Sequence, residues 1–244
     1  MPMGTEVEDV AFDHLLHYVP DVPEAVRAYS EAGLPAHAND VADGFRNGGW
    51  RLDERYVEIL SVTDPVAVRA SRYARGLDLL APSIDALEGP AGAITFAVNV
   101  TDAHAVARAL RARGHQTEVL EVELAEHGMS FVEVFIVDGP AWWPFFITYT
   151  PPRERSLANV PDAAFERGPY DLAGMVVTAP APHRAASELG ALLGLEATGH
   201  RVPLPGCAVE FEQGGREGIT AITVTGPQEH ASGRVLGLDI RGTP

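Results

Sequence analysis

The sequence contains one cysteine, few basic residues and no long uncharged hydrophobic run, and each shortage excludes a class of protein. Cys207 has no partner for an internal disulfide, and one thiol cannot supply a zinc ribbon, so a reducing compartment is expected. Lys and Arg number 18 against 34 Asp and Glu, which gives a formal charge of −16. Because a field of that sign repels phosphate backbones and anionic headgroups, neither nucleic acid nor a membrane surface is an expected partner.

Signals for export and membrane insertion are also missing from the 244 residues. The first stretch, MPMGTEVEDVAFDHLL, is acidic before its first apolar run and has no basic segment, unlike a signal peptide. No apolar stretch reaches the roughly 18 uncharged residues that a membrane span requires. The expected location is therefore the cytoplasm.

Several catalytic motifs with a known mechanism are absent as well. The sequence has no GxSxG elbow, no P-loop and no HExxH pair. The glycine-rich stretches NGGW and EQGGREG lack the strand-to-helix setting that phosphate binding requires, so they are interpreted as hairpin turns. Cys207 follows PLPG without a neighbouring histidine and is interpreted as a buried thiol.

An internal repeat of about eighty residues is the strongest pattern that is present. Three helical segments, DVPEAVRAYSEAG, TDAHAVARALRARG and PHRAASELGALLG, end at Gly33, Gly114 and Gly194. The strand-like runs HLLHYV, TFAVNV and MVVTAP each begin at the same distance before these glycines. Shorter β-rich runs broken by glycine follow each helix, so the repeating unit is predicted to be a strand, a helix and two or three strands.

Capping residues support the first two helices. Asp21 precedes Pro23 and Glu24 in a capping-box arrangement, and Asp102 occupies the equivalent position in the second unit. Pro182 stands where the third unit would have its capping aspartate. The third unit is therefore predicted to be diverged.

The repeat divides the chain into modules at 1–90, 91–150 and 169–244. Residues 62–82 are predicted to be a helical insertion within the first module. Residues 151–168, which contain three prolines and mixed charge, are predicted to be a linker. A solenoid would also repeat at this length, but its units rarely combine one helix with three strands.

The repeated βαβββ pattern resembles the vicinal-oxygen-chelate superfamily, and most closely its glyoxalase-like domains. The segments that carry the resemblance are FDHLLHYVPDV, GFRNGGW, RYVEILSVTDP, GPAGAITFAVNVTDAHAVARALRARG and WWPFFITYT. The resemblance implies an α+β fold of the glyoxalase, bleomycin-resistance and dihydroxybiphenyl-dioxygenase type. Residues 1–150 would form one domain in which two modules pair into a bowl-shaped sheet, with the diverged third module beside it. It also implies a divalent metal held by the first and last strands of each module.

His14 and Glu58 are the candidate metal ligands, and Glu58 is also the candidate catalytic residue. Strand alternation places His14 with Leu16 and Tyr18 on one face and His17 on the other, towards the helix. Glu58 shares its face with Tyr56 and Leu60. Imidazole and carboxylate suit iron, manganese, zinc, nickel or cobalt.

The second module does not supply matching ligands. The positions equivalent to His14 and Glu58 are predicted to be Thr95 and Thr148, and in the third module Met175 and Ala221. Three side chains remain as possible replacements without support from the repeat: His37, His127 and Glu133. Metal binding is therefore left open.

An apolar pocket is expected around this pair, suited to a small organic molecule. Its predicted lining consists of Leu16, Tyr18, Asn47, Arg51, Tyr56, Thr95, Phe146 and Thr148.

Two functions fit this pocket. One is a metal-assisted lyase, isomerase or dioxygenase acting on a small oxygenated molecule. The other is a metal-free protein that binds or sequesters a small molecule, as some superfamily members do. An unpaired edge in the third module predicts either a covering strand from GRVLGLDIRG or a second subunit in a homodimer.

Overall fold

A computed structural model of the chain describes residues 9–125, 128–157, 167–227 and 233–243. The first module has the expected strand and helix, followed by three strands and two insertion helices. In chain order these elements are β1 (Ala11–Tyr18), α1 (Val22–Glu31), β2 (His37–Ala38), β3 (Phe45–Arg51), β4 (Tyr56–Val62), α2 (Pro65–Arg69) and α3 (Ala74–Asp85). The predicted helical insertion is thus a pair of helices.

The second module repeats the order of strand, helix and three strands. Its elements are β5 (Gly92–Asn99), α4 (Ala103–Ala112), β6 (Thr117–Leu124), β7 (Met129–Ile136) and β8 (Phe145–Thr150). The predicted linker begins with a short helix, α5 (Arg153–Leu157). Residues 158–166 of that linker lie outside the described residues.

Side-chain caps begin α1 and α4, as the sequence predicts. A carboxylate oxygen of Asp21 accepts a hydrogen bond from the backbone N–H of Glu24 at 2.7 Å. Asp102 accepts one from the N–H of Ala105 at 2.9 Å. Each bond satisfies a helix-end donor that has no partner within its own helix.

The two modules join in one eight-stranded mixed sheet of order β2-β3-β4-β1-β5-β8-β7-β6. β1 and β5, the first strands of the modules, pair antiparallel at the centre. Each also pairs in parallel with the last strand of its own module, β1 with β4 and β5 with β8. The modules are therefore arranged as two similar halves about the β1–β5 pair.

The two faces of this sheet have different surroundings. Helices α1 and α4 contribute Tyr29 and Leu110 to a fully buried apolar core that includes Leu15 and Phe96 from the central strands. A smaller cluster, formed by Leu16, Leu60, Ile94, Ala97, Phe135, Phe145 and Ile147, packs against leucines of α3. We call the side of the sheet that carries this smaller cluster the open face.

The predicted orientation of β1 is confirmed by His17. Its Nδ1 accepts a hydrogen bond from the hydroxyl of Tyr29 on α1 at 2.8 Å. Its Nε2 lies 2.9 Å from the carbonyl oxygen of Leu236, which can only accept, so Nε2 carries the proton. His17 is therefore a buried structural histidine on the helix-facing side.

The C-terminal region forms a second mixed sheet and not one diverged βαβββ module. Its elements are β9 (Asp171–Ala179), α6 (Pro182–Leu193), β10 (Arg201–Val202), β11 (Ala208–Gln213), β12 (Gly218–Thr225), β13 (Gly233–Val235) and β14 (Leu238–Thr243). The strand order is β10-β11-β9-β12-β14-β13. This repeats the order β3-β4-β1-β5-β8-β7 of the first sheet, with a parallel pair on each side of a central antiparallel pair.

β12 therefore occupies the place of β5 and begins a fourth, reduced unit. The chain runs from β12 to β13 without a helix in the described residues, so a repeat detected through helix ends cannot reveal this unit. Residues 228–232 of this connection lie outside the described residues.

The stretch GRVLGLDIRG supplies the covering strands for β12. β14 pairs in parallel with β12, and β13 pairs with β14. Of the two alternatives for that edge, the covering strand is the one observed. The edge gives no reason for a second subunit, and a homodimer stays a prediction.

The helices are short throughout the described residues. The longest, α3 and α6, have 12 residues each. None of the described helices is long and apolar enough to cross a membrane.

Candidate functional site

A cavity of about 360 Å³ lies on the open face of the first sheet, partly covered by α3. His14, Leu16, Asn47, Tyr56 and Glu58 are among the first-module residues that line it. Phe145, Ile147 and Tyr149 line it from β8 of the second module. Its volume falls in the range typical of small-molecule sites.

His14 is held in one orientation within this cavity. It is only 4% exposed, and its Nδ1 lies 2.5 Å from Oδ1 of Asp13. Because a carboxylate can only accept, Nδ1 carries the proton, and Nε2 is the ring nitrogen on the side of the cavity. Tyr56 stacks on the ring with centroids 4.6 Å apart. The Nε2 atom is therefore the group that His14 offers to a ligand.

Glu58 is oriented from the neighbouring strand. Its Oε1 accepts a hydrogen bond from Nδ2 of Asn47 at 2.9 Å. Its Oε2 lies 3.6 Å from Nε2 of His14. One imidazole nitrogen and one carboxylate oxygen thus lie side by side, and each side chain is held at its other end.

Asp13 lies at the centre of a buried polar cluster behind His14. Besides His14, it accepts hydrogen bonds from the hydroxyl of Tyr149 at 3.1 Å and from Nη1 of Arg153. Burial alone would raise the pKa of Asp13, but the hydrogen bond from His14 and the charges of His14 and Arg153 hold it below its usual value. Asp13 is therefore a carboxylate that fixes the ring of His14.

The open face of the second module is apolar where the first module has His14 and Glu58. In the first module, His14 pairs with Tyr56 and Leu16 with Glu58 across the β1–β4 ladder. In the second, the β5–β8 ladder pairs Ala97 with Phe145 and Asn99 with Ile147. Ala97 also pairs with His14 across the sheet centre. Ala97 and Ile147, both part of the smaller apolar cluster, are thus residues that the second module places on the open face without a ligand atom.

Comparison with known proteins agrees with this arrangement. Residues 12–193, about three quarters of the chain, match the family described as glyoxalase-like domain. The chain belongs to that family. The predicted relationship to the vicinal-oxygen-chelate superfamily is thereby confirmed.

Three solved structures match this glyoxalase-like protein at low sequence identity, and the two with a TM-score above 0.5 share its fold. A hypothetical protein from Staphylococcus aureus is 16% identical with a TM-score of 0.74, over 97% of this chain and 100% of that one. A variant of homoprotocatechuate 2,3-dioxygenase from B. fuscum is 13% identical with a TM-score of 0.53, over 95% of this chain and 61% of that one. A methylmalonyl-CoA epimerase from Mycobacterium tuberculosis is 18% identical with a TM-score of 0.39, over 60% of this chain and 91% of that one. No curated protein matches the chain significantly.

Five of the eight residues predicted to line the pocket of the glyoxalase-like domain do not line it, and three of these, Thr95, Thr148 and Phe146, make their contacts elsewhere. Thr95 donates a hydrogen bond to the carbonyl oxygen of Trp143 at 2.7 Å. Thr148 donates to the carbonyl oxygen of Val100 and accepts from the N–H of Ala103, at the start of α4. Phe146 is fully buried in the larger core.

These corrections have a common physical reason, which is strand register. The β1–β5 ladder pairs Leu16 with Thr95 and His17 with Ala93, so its register shifts beside Thr95 and strict alternation does not hold there. On β8 the odd-numbered residues 145, 147 and 149 face the cavity, so the predicted face is the opposite one. Phe145, whose ring centroid lies 5.7 Å from that of His14, provides the aromatic surface that the sequence assigns to Phe146.

The other predicted site residues lie in or beside the cavity. Tyr18 packs against the smaller core cluster without lining the cavity. The guanidinium carbon of Arg51 lies 4.6 Å from the Tyr56 ring centroid, beside the cavity wall. His37 on β2 pairs with Gly49 on β3 and does not line the cavity. His127 lies outside the described residues.

Of the two proposed replacement residues that the structure describes, His37 and Glu133, Glu133 lines the cavity. It lies on β7, paired with Ile147 of β8. Burial and the nearby charges of Glu58 and Asp13 raise the pKa of Glu133 to about 8. The glyoxalase-like domain therefore places a neutral carboxylic acid across the cavity from Glu58 at neutral pH.

The His14–Glu58 pair fits two ligands of a divalent ion. A tetrahedral ion bound at about 2.1 Å to each atom would hold them about 3.4 Å apart, close to the observed 3.6 Å. Asp13 and Asn47 supply the outer hydrogen bonds that orient metal ligands. Within the described residues, no group of three or more His, Cys, Asp or Glu side chains is close enough to hold an ion. These residues would therefore provide two ligands and leave the other positions to water or substrate.

Proposed function

We propose that the cavity is the active site of an enzyme acting on a small oxygenated organic molecule, with a divalent metal on His14 and Glu58. The separation of 3.6 Å between Nε2 of His14 and Oε2 of Glu58 carries the proposal, because both atoms face the cavity with their partner atoms already hydrogen-bonded. Iron, manganese, zinc, nickel and cobalt suit these donors. When bound, such an ion polarises a carbonyl or enediolate oxygen of the substrate. The proposed reaction class is a lyase, isomerase or dioxygenase.

The side chains around the pair have separate tasks in this proposal. Asp13 fixes the imidazole so that Nε2 keeps its lone pair. Asn47 holds Oε1 of Glu58, so that Oε2 is available to bind or to accept a proton from a substrate carbon. The apolar surface of Phe145 and Ile147 excludes water from the reacting oxygen atoms.

Metal binding tests the proposal without knowledge of the substrate. Protein purified without chelator is titrated with Mn²⁺, Zn²⁺, Ni²⁺ and Co²⁺ by calorimetry, and its metal content is measured. We expect about one bound ion in the wild type, and at least tenfold weaker binding in His14→Gln and in Glu58→Gln. His104→Gln is the control because the side chain of His104 is half exposed on α4 and does not line the cavity. Equal and negligible metal in all four proteins overturns the proposal.

The second candidate is a metal-free protein that binds a small molecule without transforming it. Ala97 and Ile147 favour it, because these second-module residues of the open face offer no ligand atom. A thermal-shift screen with divalent metals and with apolar organic molecules separates the two candidates. Stabilisation by metals and by no organic molecule excludes the second candidate.

A further inference from the structure

Glu133 of β7, which pairs with Leu120, and Tyr149 of β8 line the cavity from the second module. The remaining polar groups that the sheet contributes lie together on one side of the cavity. His14, Asn47, Tyr56 and Glu58 come from β1, β3 and β4 of the first module. They surround the point where Nε2 of His14 and Oε2 of Glu58 meet. This side, which we call the polar end, is suited to the oxygen atoms of a ligand.

The opposite side is formed by the edge strand β6 and by α3. Every residue that these two elements contribute to the lining is apolar or glycine, namely Leu120, Val122 and Leu124 from β6 and Gly76, Leu77 and Leu80 from α3. We call this side the apolar end. It extends over the edge of the sheet farthest from Glu58 in the strand order.

α3 covers the apolar end without filling it. None of its side chains is fully buried, although Leu77 and Leu80 face the cavity. An added Cβ at Gly76 would meet a methyl carbon of Leu120 at 3.4 Å, so the helix is in contact with β6 at that point. The leucines therefore keep apolar surface that the hydrocarbon part of a ligand would remove from water.

The volume limits the size of such a ligand. At about 30 Å³ for each water-sized group, 360 Å³ holds about a dozen non-hydrogen atoms. A head of about four atoms at the polar end leaves room for a chain of about six to eight carbons.

We infer that the ligand of this cavity is amphipathic, with adjacent oxygen atoms at His14 and Glu58 and a hydrocarbon chain of about six to eight carbons between α3 and β6. This inference rests on the proposed function only in taking the cavity as the ligand site. It adds the substrate class and assigns Leu77, Leu80, Leu120 and Val122 to recognition of the chain.

A series of 1-hydroxy-2-alkanones with 3, 6, 8, 10 and 14 carbons tests the inference by calorimetry, with the full-length protein with and without Mn²⁺. These probes carry adjacent oxygen atoms and no charge, so Glu58 does not repel them. We expect affinity to rise about fourfold for each added methylene up to about ten carbons and then to level off.

Two variants test the contributions of the polar end and of the apolar end separately. His14→Gln is expected to weaken binding of every probe by the same factor, with the increase for each methylene retained. Leu120→Asn is expected to leave the three-carbon probe unchanged and to reduce the increase for each methylene to less than twofold. Glu121→Gln is the matched control, since this neighbouring side chain is 69% exposed and does not line the cavity.

The outcomes distinguish this inference from the proposed function. Affinity that does not depend on chain length, or no binding of any probe, overturns the inference even where metal binds at His14 and Glu58. A clear dependence on chain length that Leu120→Asn removes supports it, also where no metal binds and the proposed enzyme function fails.

Discussion

His14 and Asp13 are neighbours in the sequence, yet their side chains meet, with Nδ1 of His14 donating to Oδ1 of Asp13 over 2.5 Å. In a regular strand, consecutive side chains point to opposite faces. A register shift between Phe12 and His14 interrupts the β1–β5 ladder at this point. The irregularity brings a buried carboxylate behind the candidate ligand, where it also contacts Tyr149 and Arg153.

Replacing Asp13 is expected to destabilise the fold strongly. In Asp13→Asn the 8% exposed Arg153 keeps its charge and loses its counter-charge, which typically costs about 3–5 kcal/mol of unfolding free energy. Urea denaturation measures this loss. Asp171→Asn is the control, because Asp171 pairs with Arg55 but is 44% exposed, so a loss of at most about 1 kcal/mol is expected. Equal losses in the two variants would contradict this account of the cluster.

His17 is expected to make the fold sensitive to acid. Burial lowers the pKa of His17 from 6.5 to about 4, with the hydrogen bond to the carbonyl of Leu236 opposing the shift. Between pH 6.5 and 4 the unfolded chain binds a proton that the folded protein excludes, so stability falls as pH falls through this window. The contribution of His17 is about 3 kcal/mol over the whole window.

The variant His17→Gln isolates this contribution because glutamine does not titrate. Its unfolding free energy, measured by urea denaturation at intervals from pH 7.5 to 4, is expected to fall less steeply than that of the wild type. The surface variant His104→Gln should follow the wild-type curve. Parallel curves for wild type and His17→Gln would show that His17 is not the responsible group.

Glu133 is expected to lower the stability of the fold as pH rises. Its pKa is about 8 in the folded protein, against an ordinary value of 4.5, because of burial and the charges of Glu58 and Asp13. The unfolded chain loses this proton as pH rises above 4.5 and the folded protein keeps it, so stability falls as pH rises to about 8. Glu133→Gln should therefore be more stable than the wild type at pH 8, by on the order of 2 kcal/mol, since water in the cavity screens part of the penalty.

Comparison of the two proteins at pH 4.5 provides the control for Glu133. Both side chains are then neutral, and the difference in unfolding free energy should be small. An advantage of Glu133→Gln that is the same at pH 4.5 and pH 8 would reflect packing and would refute the pKa explanation.

Local patterns in the sequence predict much of the first 150 residues. Asp21 and Asp102 cap the helices as expected, because a cap is a contact between residues three positions apart. Alternation along β1 correctly places His14 on the open face and His17 under α1, and His14 and Glu58 meet as neighbours in parallel strands. These features depend on short-range periodicity and on one strand pairing.

Features that depend on register or on long-range packing could not be predicted in the same way. Counting residues predicts Thr95 and Thr148 as lining residues, but counting does not detect the irregularity beside Thr95 in the β1–β5 ladder or the face that β8 turns to the cavity. The fourth β unit has no helix among its described residues by which to recognise it. The proton on Glu133 depends on charges from β1 and β4, which come close only in the folded sheet.

The glycine pair in β3 is expected to set the position of Glu58. A Cβ added at Gly49 would lie 2.4 Å from the carbonyl oxygen of Val57, and Gly49 pairs directly with Glu58 in the β3–β4 ladder. Gly49→Ala must therefore push β4 away from β3, which should cost about 1–3 kcal/mol of unfolding free energy, as other overpacked sites do. Gly89→Ala is the control, since a Cβ there meets nothing within 4 Å. If urea denaturation shows equal stability for the two variants, the close approach of β3 to β4 does not constrain Glu58.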